Sequence, residues 1–300
     1  MDKNTFSLTN NTNSFFVYKP FELDNPDSIL VIVHGLAEHN ERYIKLCGFM
    51  FDHNIQTYAL SLLGHGKYDA NLGVWPKNGF ELCVENLNVL IEHIIKKHKK
   101  KKIVLFGHSM GSFIALSYIE KYGNKVDFCI LSGSNDKQPK LLTVAGTLIS
   151  SLICSISGRD KQSKLLNSMS FGSFNSHFKP NQSEFDWLSK DESEVQKYIN
   201  DPLCGFIPSA GMFNDLLKGL NTIYLDKELN NIPKTLPIHI LGGGNDPVGN
   251  FGKGLTSLQN RLIAADITNV TLNIYKDNRH ECLNETNSTK VMTDILSLIK

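Results

Sequence analysis

Short apolar runs alternate with longer stretches of helical spacing along most of the chain. A short, continuous apolar run is typical of a strand that is buried on both faces of a parallel sheet. The clearest helical stretch has one apolar face, formed by Leu87, Leu90, Ile91, Ile94 and Ile95. Strands that alternate with helices predict the α/β class, with a mostly parallel, doubly wound sheet covered on both faces. The buried strands are expected near residues 29–33, 57–60, 103–106, 126–131, 236–241 and 270–275.

The ends of the chain complete this pattern. Residues 6–8 and 14–18 predict two short strands, and the polar segment 10–13 predicts a tight turn between them. Apolar residues at helical spacing also predict helices outside the central stretch, at residues 41–53, 254–265 and about 286–299.

The alternation stops at Ser134 and resumes only at Leu236. The residues between them are helix-like and irregular, and they are too many for a loop inside a compact domain. We therefore predict a helical cap, residues 136–226, that is inserted over the carboxyl edge of the sheet. Residues 1–135 and 227–300 would form the core.

Residues 141–158 of the cap carry no charge and approach the length of a membrane span. Hydroxyl and glycine residues dilute their hydrophobicity, and a span here would separate Ser109 from the C-terminal third. We therefore expect an apolar helix that is covered by protein or touches lipid. This helix is apolar on most of its circumference, so its excess apolar surface would face other cap helices, an acyl tunnel or a membrane surface. Leu148 and Leu152 are its candidate substrate-binding residues.

Composition excludes some classes of partner. The formal net charge of +1 gives no electrostatic reason to expect nucleic acid. The basic run at residues 96–102 closes a helix at the edge of the sheet opposite Ser109, where a solvated helix end is expected. Six scattered cysteines without a C-x-x-C pair indicate thiols in a reducing compartment. The polar N-terminus lacks the apolar segment of a secretory signal. These features predict a cytoplasmic protein, with transient membrane contact through the cap as an option.

The segment Gly107-His108-Ser109-Met110-Gly111 has the G-x-S-x-G pattern and lies between a buried strand and a helix. Small residues two positions before and after the serine let strand and helix approach each other, so that a sharp turn exposes the hydroxyl. The helix then directs its first N–H groups at an oxyanion beside Ser109. The pattern alone fits a glycine-rich turn, but its flanking elements favour a nucleophile.

A serine hydroxyl needs an imidazole to take its proton and a carboxylate to orient that imidazole. In doubly wound hydrolases the order along the chain is serine, acid, histidine. Asp246 and His280 each follow a predicted strand, and both are therefore expected at the same edge as Ser109. Asp136 follows another strand and is a second candidate for the acid. The oxyanion would be bound by the backbone N–H groups of Met110 and Leu36.

The same segments resemble the α/β-hydrolases of the monoacylglycerol lipase and lysophospholipase branch, a group often classed with serine aminopeptidases. The most specific match is H-G-x-x-E-H-x-x-R-Y. The resemblance implies the α/β-hydrolase fold, a triad of Ser109, Asp246 and His280, and Leu36 and Met110 as oxyanion donors. It also implies hydrolysis of a carboxylic ester with a fatty acyl chain, without a cofactor or metal. The matching segments are residues 34–43, 64–66, 107–111, 245–248 and 280–285.

Two alternatives remain. An aminopeptidase or amidase of the same fold would need acidic residues to anchor the amino group of its substrate. A non-catalytic binding protein could keep the fold without the chemistry, although it would not need all three triad residues. We therefore expect a small-molecule or lipid ester as the substrate, most readily a monoacylglycerol or lysophospholipid. The acidic candidates for the aminopeptidase alternative are Glu184, Asp186, Asp191, Glu192 and Glu194.

Overall fold

The computed structural model describes residues 3–10 and 13–300 of the chain. Its eight described strands form one sheet in the order β1-β2-β4-β3-β5-β6-β7-β8. The β1–β2 and β2–β4 pairs are antiparallel, and every other neighbouring pair is parallel. The strands are β1 Thr5–Thr9, β2 Ser14–Tyr18, β3 Ser28–Val33, β4 Ile55–Leu60, β5 Lys102–His108, β6 Phe128–Ser132, β7 Ile238–Gly243 and β8 Val270–Tyr275.

Nine of the ten α-helices in the described residues lie between strands, and the last one follows the final strand. Helices α2, α3 and α9 contribute apolar side chains to a core on one face of the sheet, whereas α1 and α10 contribute to a second core on the other face. The predicted α/β-hydrolase architecture is therefore confirmed. The helices are α1 Ile44–Phe51, α2 Gly79–Lys97, α3 Met110–Tyr122, α4 Lys140–Ser157, α5 Lys164–Phe171, α6 Glu192–Asn200, α7 Ala210–Thr222, α8 Asp226–Leu229, α9 Lys253–Ala264 and α10 Ser288–Ile299.

The register of the central strands aligns their carboxyl ends. Val33 at the end of β3 pairs with Leu60 of β4 and with Gly107 of β5. On the other side, His108 of β5 pairs with Ser132 of β6. Because these strands are parallel, the loops that follow them leave the sheet at the same edge.

Helices α4 to α7 lie between β6 and β7, within the predicted cap. Helix α4 packs along α7, and its partly buried Ile149 and Ile153 contact a small apolar cluster that contains Leu166, Ala210 and Phe213. This cluster lies apart from the two cores of the sheet. Within the described residues, none of the helices combines the length and the hydropathy needed to cross a bilayer.

One local prediction differs in detail from the structure. The predicted helix at residues 41–53 begins as a 3₁₀ turn, Asn40–Tyr43, before α1 starts. A 3₁₀ turn is frequent at the N-terminus of an α-helix, and in this one the side chains of Arg42 and Tyr43 both donate hydrogen bonds to Glu38. The predicted turn at residues 10–13 includes residues 11 and 12, which lie outside the described residues. All six cysteines are free thiols.

Candidate active site

Ser109 occupies the sharp turn between β5 and α3. Its backbone has φ 52° and ψ −121°, a conformation that is strained for a residue with a side chain. A Cβ at Gly107 would lie 2.3 Å from the carbonyl oxygen of Gly111, and a Cβ at Gly111 would lie 2.2 Å from that of Val33. The Ser109 N–H donates to the carbonyl of Ser132 over 2.9 Å. The two glycines therefore permit the close approach that holds Ser109 at the carboxyl edge.

His280 and Asp246 form a buried hydrogen-bonded pair beside this turn. The distance from His280 Nδ1 to Asp246 Oδ2 is 2.9 Å, and the two residues are 2% and 0% exposed. The other Asp246 oxygen accepts the N–H of Val248 over 2.8 Å. Burial lowers the pKa of His280, but the Asp246 charge and hydrogen bond outweigh it, and the pKa is raised above its ordinary value. With Nδ1 donating to the carboxylate, Nε2 is the nitrogen available as a base.

Asp136, the second candidate acid, has other partners. Its carboxylate accepts hydrogen bonds from the Ser257 hydroxyl and from the Arg261 guanidinium, both on α9. These contacts lower its pKa, against the effect of burial. Asp136 is therefore hydrogen bonded to a helix of the core, whereas Asp246 is hydrogen bonded to His280.

Leu36 and Met110, the expected oxyanion donors, line one cavity together with Ser109 and His280. Leu36 lies in the segment 34–39 that follows β3, which we call the oxyanion loop. The Gly35 N–H donates to Glu38 Oε1 over 2.6 Å and closes this loop on itself. A Cβ at Gly35 would lie 3.1 Å from that of Ser109, so glycine lets the loop approach the nucleophile.

Two buried histidines support the oxyanion loop through hydrogen bonds that were not predicted from sequence. His34 Nε2 accepts the N–H of Leu62 over 3.1 Å, and His65 Nε2 accepts that of Ala37 over 3.2 Å. Burial is the main cause that lowers the pKa of each to about 3, so both rings stay neutral and can accept. Residues 34–35 and 64–66 carried the signal, but sequence reasoning did not predict that these histidines accept hydrogen bonds from the backbone.

The cavity in front of Ser109 has a volume of about 690 Å³, within the range of small-molecule sites. Most of its wall is apolar and comes from the cap and α3. Among the described residues that line it, none is a lysine or an arginine, whereas three are glutamates: Glu38, Glu184 and Glu281. The apolar wall includes Leu36, Met110, Phe113, Phe171, Phe174, Phe185, Trp187, Phe206, Ile207, Pro208, Phe213, Leu216, Leu217, Leu220 and Val248.

Trp187 of the cap covers the catalytic edge, and sequence reasoning missed it. Its ring lies 5.1 Å from that of His280, and its carbonyl accepts the His280 N–H over 3.4 Å. It also contacts the rings of Phe171 and Phe174 in the cavity wall. A tryptophan in an irregular cap segment gives no sequence signal of this contact, because it depends on the long-range packing of cap against core.

The structure does not bring Leu148 and Leu152 into the cavity wall. Their side chains are 66% and 60% exposed on the outer face of α4. The opposite face, with Ile149 and Ile153, packs towards α7 and the small cap cluster. The apolar wall near this helix comes instead from α7, through residues such as Leu217. Helical periodicity identified an excess of apolar surface on α4 but could not show which face turns inward.

The acidic residues considered for binding an amino group are mostly engaged in local structure. Asp186 accepts the backbone N–H groups of residues 182 and 183, and Asp191 caps α6 by accepting that of Ser193. Glu192 pairs with Gln182, and Glu194 pairs with Lys197. Glu184 is the member of this set that lines the cavity.

One group of side chains in the described part of the chain is close enough to ligate a metal. A nitrogen of His39, a carboxylate oxygen of Asp201 and the sulfur of Cys204 lie within 4.8 Å of one another. The group lies where the oxyanion loop meets the cap, and its members do not belong to the cavity lining. His39 Nε2 and Asp201 Oδ2, 2.9 Å apart, already form a hydrogen bond.

Solved structures define the fold of the chain. A carboxyl esterase from Bacillus coagulans is 24% identical, and its superposition has a TM-score of 0.87 over 99% of this chain and 98% of the esterase. The monoacylglycerol lipase of Paleococcus ferrophilus is 21% identical, with a TM-score of 0.71 over 95% and 98%. These proteins share the fold described above, and the chain is an α/β-hydrolase by fold.

The family follows from sequence comparison. Residues 24–287 match the family described as serine aminopeptidase, S33, and the chain belongs to that family. A monoacylglycerol lipase of Mycolicibacterium smegmatis is 26% identical over 285 residues, or 92% of this chain and 89% of that protein. Human monoglyceride lipase is 24% identical over 179 residues, which is 59% of this chain and 52% of the human protein. Together the family and these relatives make the protein a carboxylic ester hydrolase.

Proposed function

We propose that the protein hydrolyses monoacylglycerol-type lipid esters through an acyl-enzyme on Ser109. The observation that carries the proposal is His280, which is hydrogen bonded to the buried Asp246 and lines one apolar cavity with the strained Ser109 turn and the oxyanion loop. The names of the relatives, which are lipases and esterases, agree with this chemistry.

In the proposed reaction, Ser109 Oγ attacks the acyl carbon while its proton passes to His280 Nε2. The backbone N–H groups of Leu36 and Met110 donate to the oxyanion that forms. As the tetrahedral species collapses, His280 returns the proton to the leaving alkoxide and glycerol departs. Water then repeats the sequence on the acyl-serine and releases the fatty acid. Every proton is accounted for within this set of residues, so the mechanism needs no cofactor.

The composition of the cavity wall supports a neutral head group. An acyl chain would contact the aromatic and aliphatic wall, where each buried methylene contributes about 0.8 kcal/mol. A phosphate group would find no lysine or arginine among the described residues of the lining. The nearby Arg42 is already paired with Glu38 and Glu281, and burying an unpaired charge is unfavourable. We therefore favour neutral monoacylglycerols over lysophospholipids with a net negative charge.

The outer face of α4 supports a proposal for how the protein takes its substrate from a lipid surface. Leu141, Leu148, Leu152 and Ile156 are exposed on this helix, which packs against the cavity-lining helix α7. We propose that this face touches a membrane surface transiently, so that a monoacylglycerol can pass into the cavity. The proposal keeps the protein in the cytoplasm with peripheral contact to lipid.

A panel of esters tests the proposed function. It contains monoacylglycerols from acetyl to dodecanoyl, dodecanoyl lysophosphatidate and aminoacyl amides. We expect kcat/KM to rise with chain length among the glycerol esters and to be much lower for lysophosphatidate. Faster cleavage of the amides than of any ester would indicate an aminopeptidase. If a fluorophosphonate fails to label the protein and no ester is cleaved, the protein is a binding protein.

A further inference from the structure

The side chain of Arg42 lies between three parts of the molecule that meet at Ser109. Arg42 belongs to the 3₁₀ turn before α1, and its side chain is only 11% exposed. On one side it contacts the oxyanion loop, and on the other it contacts the loop at residues 276–285, which carries His280 and which we call the His280 loop. The cap contributes the third contact, through Tyr198.

Glu38 connects Arg42 to the oxyanion loop. Arg42 Nη1 donates to Glu38 Oε2 over 2.8 Å. The other oxygen, Oε1, accepts the Gly35 N–H over 2.6 Å and the Tyr43 hydroxyl over 3.0 Å. The position of the Glu38 carboxylate therefore determines the course of the loop on both sides of Leu36, whose N–H is the proposed oxyanion donor.

Glu281 connects the same guanidinium to the His280 loop. Arg42 donates through Nη1 to Oε1 over 2.6 Å and through Nη2 to Oε2 over 2.7 Å, which is a bidentate pair. Asn284 also donates to Oε2 over 2.8 Å. Because Glu281 follows His280 directly in the chain, this pair fixes the backbone that carries the proposed base.

Two residues of the cap, Tyr198 and Leu188, contact Arg42 and the two loops that it joins. The guanidinium carbon of Arg42 lies 4.9 Å from the centre of the Tyr198 ring. The Tyr198 hydroxyl donates to the carbonyl of Ala37 in the oxyanion loop over 2.8 Å, and the Glu281 N–H donates to the carbonyl of Leu188 in the cap over 2.8 Å. Tyr198 and Leu188 thus restrain the same two loops that Arg42 joins.

Charge makes Arg42 necessary to this arrangement. Glu38 and Glu281 are both buried, and burial alone would raise the pKa of each carboxyl group. The Arg42 charge outweighs burial and holds the pKa of both below the ordinary value. Only a planar guanidinium can donate to two carboxylates in fixed directions at once; an ammonium group supplies the charge without that geometry.

We propose that Arg42 is a positioning residue that sets the oxyanion donor of Leu36 and the base His280 at the separation required by the transition state. The inference rests on the proposed function, because it concerns the same site. Arg42 acts through Glu38 and Glu281 and does not itself contact the reacting atoms. Substitution of Arg42 should therefore weaken binding of the transition state more than binding of the substrate.

The test compares two ligands in Arg42→Lys and in wild type. A dodecyl boronic acid forms a tetrahedral adduct on a serine nucleophile, whereas 1-O-dodecylglycerol, an ether, occupies the cavity without reacting. We expect Arg42→Lys to weaken binding of the boronic acid and to lower kcat, each by about 10²-fold, as a displacement of about 1 Å would. Affinity for the ether and KM for dodecanoylglycerol should stay close to wild type.

Arg261→Lys is the matched control, because Arg261 forms a similar two-bonded pair with Asp136 on α9. It should leave both affinities and kcat close to wild type. Glu281→Gln, which keeps the shape of the side chain but weakens the pair, should show the Arg42→Lys pattern more mildly and guards against a folding defect in Arg42→Lys. Equal losses of ether and boronic acid affinity, unchanged kcat, or two unfolded variants would overturn the inference. A wild-type protein that binds the ether but neither reacts with a fluorophosphonate nor cleaves esters would refute the proposed function instead.

Discussion

The assignment of Asp246 as the orienting acid leads to a prediction with a large expected effect. The substitution Asp246→Asn keeps the size of the side chain and removes its charge. An asparagine amide can donate to His280 Nδ1, which would leave the proton on Nε2 and so present the wrong tautomer to Ser109. His280 could then no longer accept the serine proton.

The magnitude follows from the burial of the pair. Asp246 and His280 are 0% and 2% exposed, so water cannot replace the carboxylate or reorient the imidazole. By analogy with the serine protease triad, kcat should fall about 10⁴-fold, equivalent to about 5 kcal/mol in the activation barrier. The loss should appear in kcat, because the apolar cavity that binds the acyl chain is unchanged.

The assay is hydrolysis of dodecanoylglycerol by Asp246→Asn, with Asp136→Asn as the matched control. Asp136 is also a buried aspartate at the carboxyl edge, but it pairs with Arg261. Asp136→Asn should lower the free energy of unfolding by about 1–3 kcal/mol. It should leave the turnover of the folded protein nearly unchanged. The reverse outcome, an inactive Asp136→Asn and a nearly normal Asp246→Asn, would refute the assignment.

Three further predictions follow from the site. The proposed mechanism requires a neutral His280. Because the pKa of this imidazole is raised, kcat should fall as the pH drops through that pKa. The acid limb of the pH profile of kcat should move in Asp246→Asn, and an unmoved limb would contradict the prediction. Leu217→Asp places a charge in the cavity wall and should reduce kcat/KM for dodecanoylglycerol far more than for acetylglycerol; equal losses would contradict the acyl site. Leu148→Asp, on the exposed face, should slow only hydrolysis of monoacylglycerol embedded in vesicles, and an equal loss on dispersed substrate would exclude a membrane-docking face.

Much of the fold could be predicted because its signals are local. The apolar runs that became β3, β5 and β7 are short and continuous, and the G-x-S-x-G segment fixes a turn through its two glycines, Gly107 and Gly111. Strand order then places whatever follows β5, β7 and β8 at one edge. For this reason the sequence predicts Ser109, Asp246 and His280 at one edge of the sheet as a candidate triad, and the structure brings His280 and Asp246 into contact.

The cap could be predicted only in outline. Leu148 and Leu152 are as apolar as Leu217, and the sequence does not say which face of α4 turns towards the cavity. That choice is made by packing against α7, more than fifty positions further along the chain. The contact of Trp187 with His280 likewise depends on long-range packing, which no periodicity encodes.

Arg42 was visible in the sequence but its role was not. It belongs to the H-G-x-x-E-H-x-x-R-Y segment, and its i, i+4 spacing from Glu38 fits a local ion pair. Its second partner, Glu281, is 239 positions away. A sequence pattern indicates that the residue types are present, but the joining of two loops through one guanidinium appears only in three dimensions.

The most direct test of the central proposal is covalent labelling of Ser109. Intact-mass spectrometry after treatment with a fluorophosphonate should show one added phosphonyl group on wild type and none on Ser109→Ala. Ser112→Ala is the control, because its hydroxyl donates to the Ser109 carbonyl over 2.6 Å and lies one helical turn from the nucleophile. It should label like wild type. Labelling of folded Ser109→Ala to the same extent as wild type would contradict the assignment of Ser109 as the nucleophile.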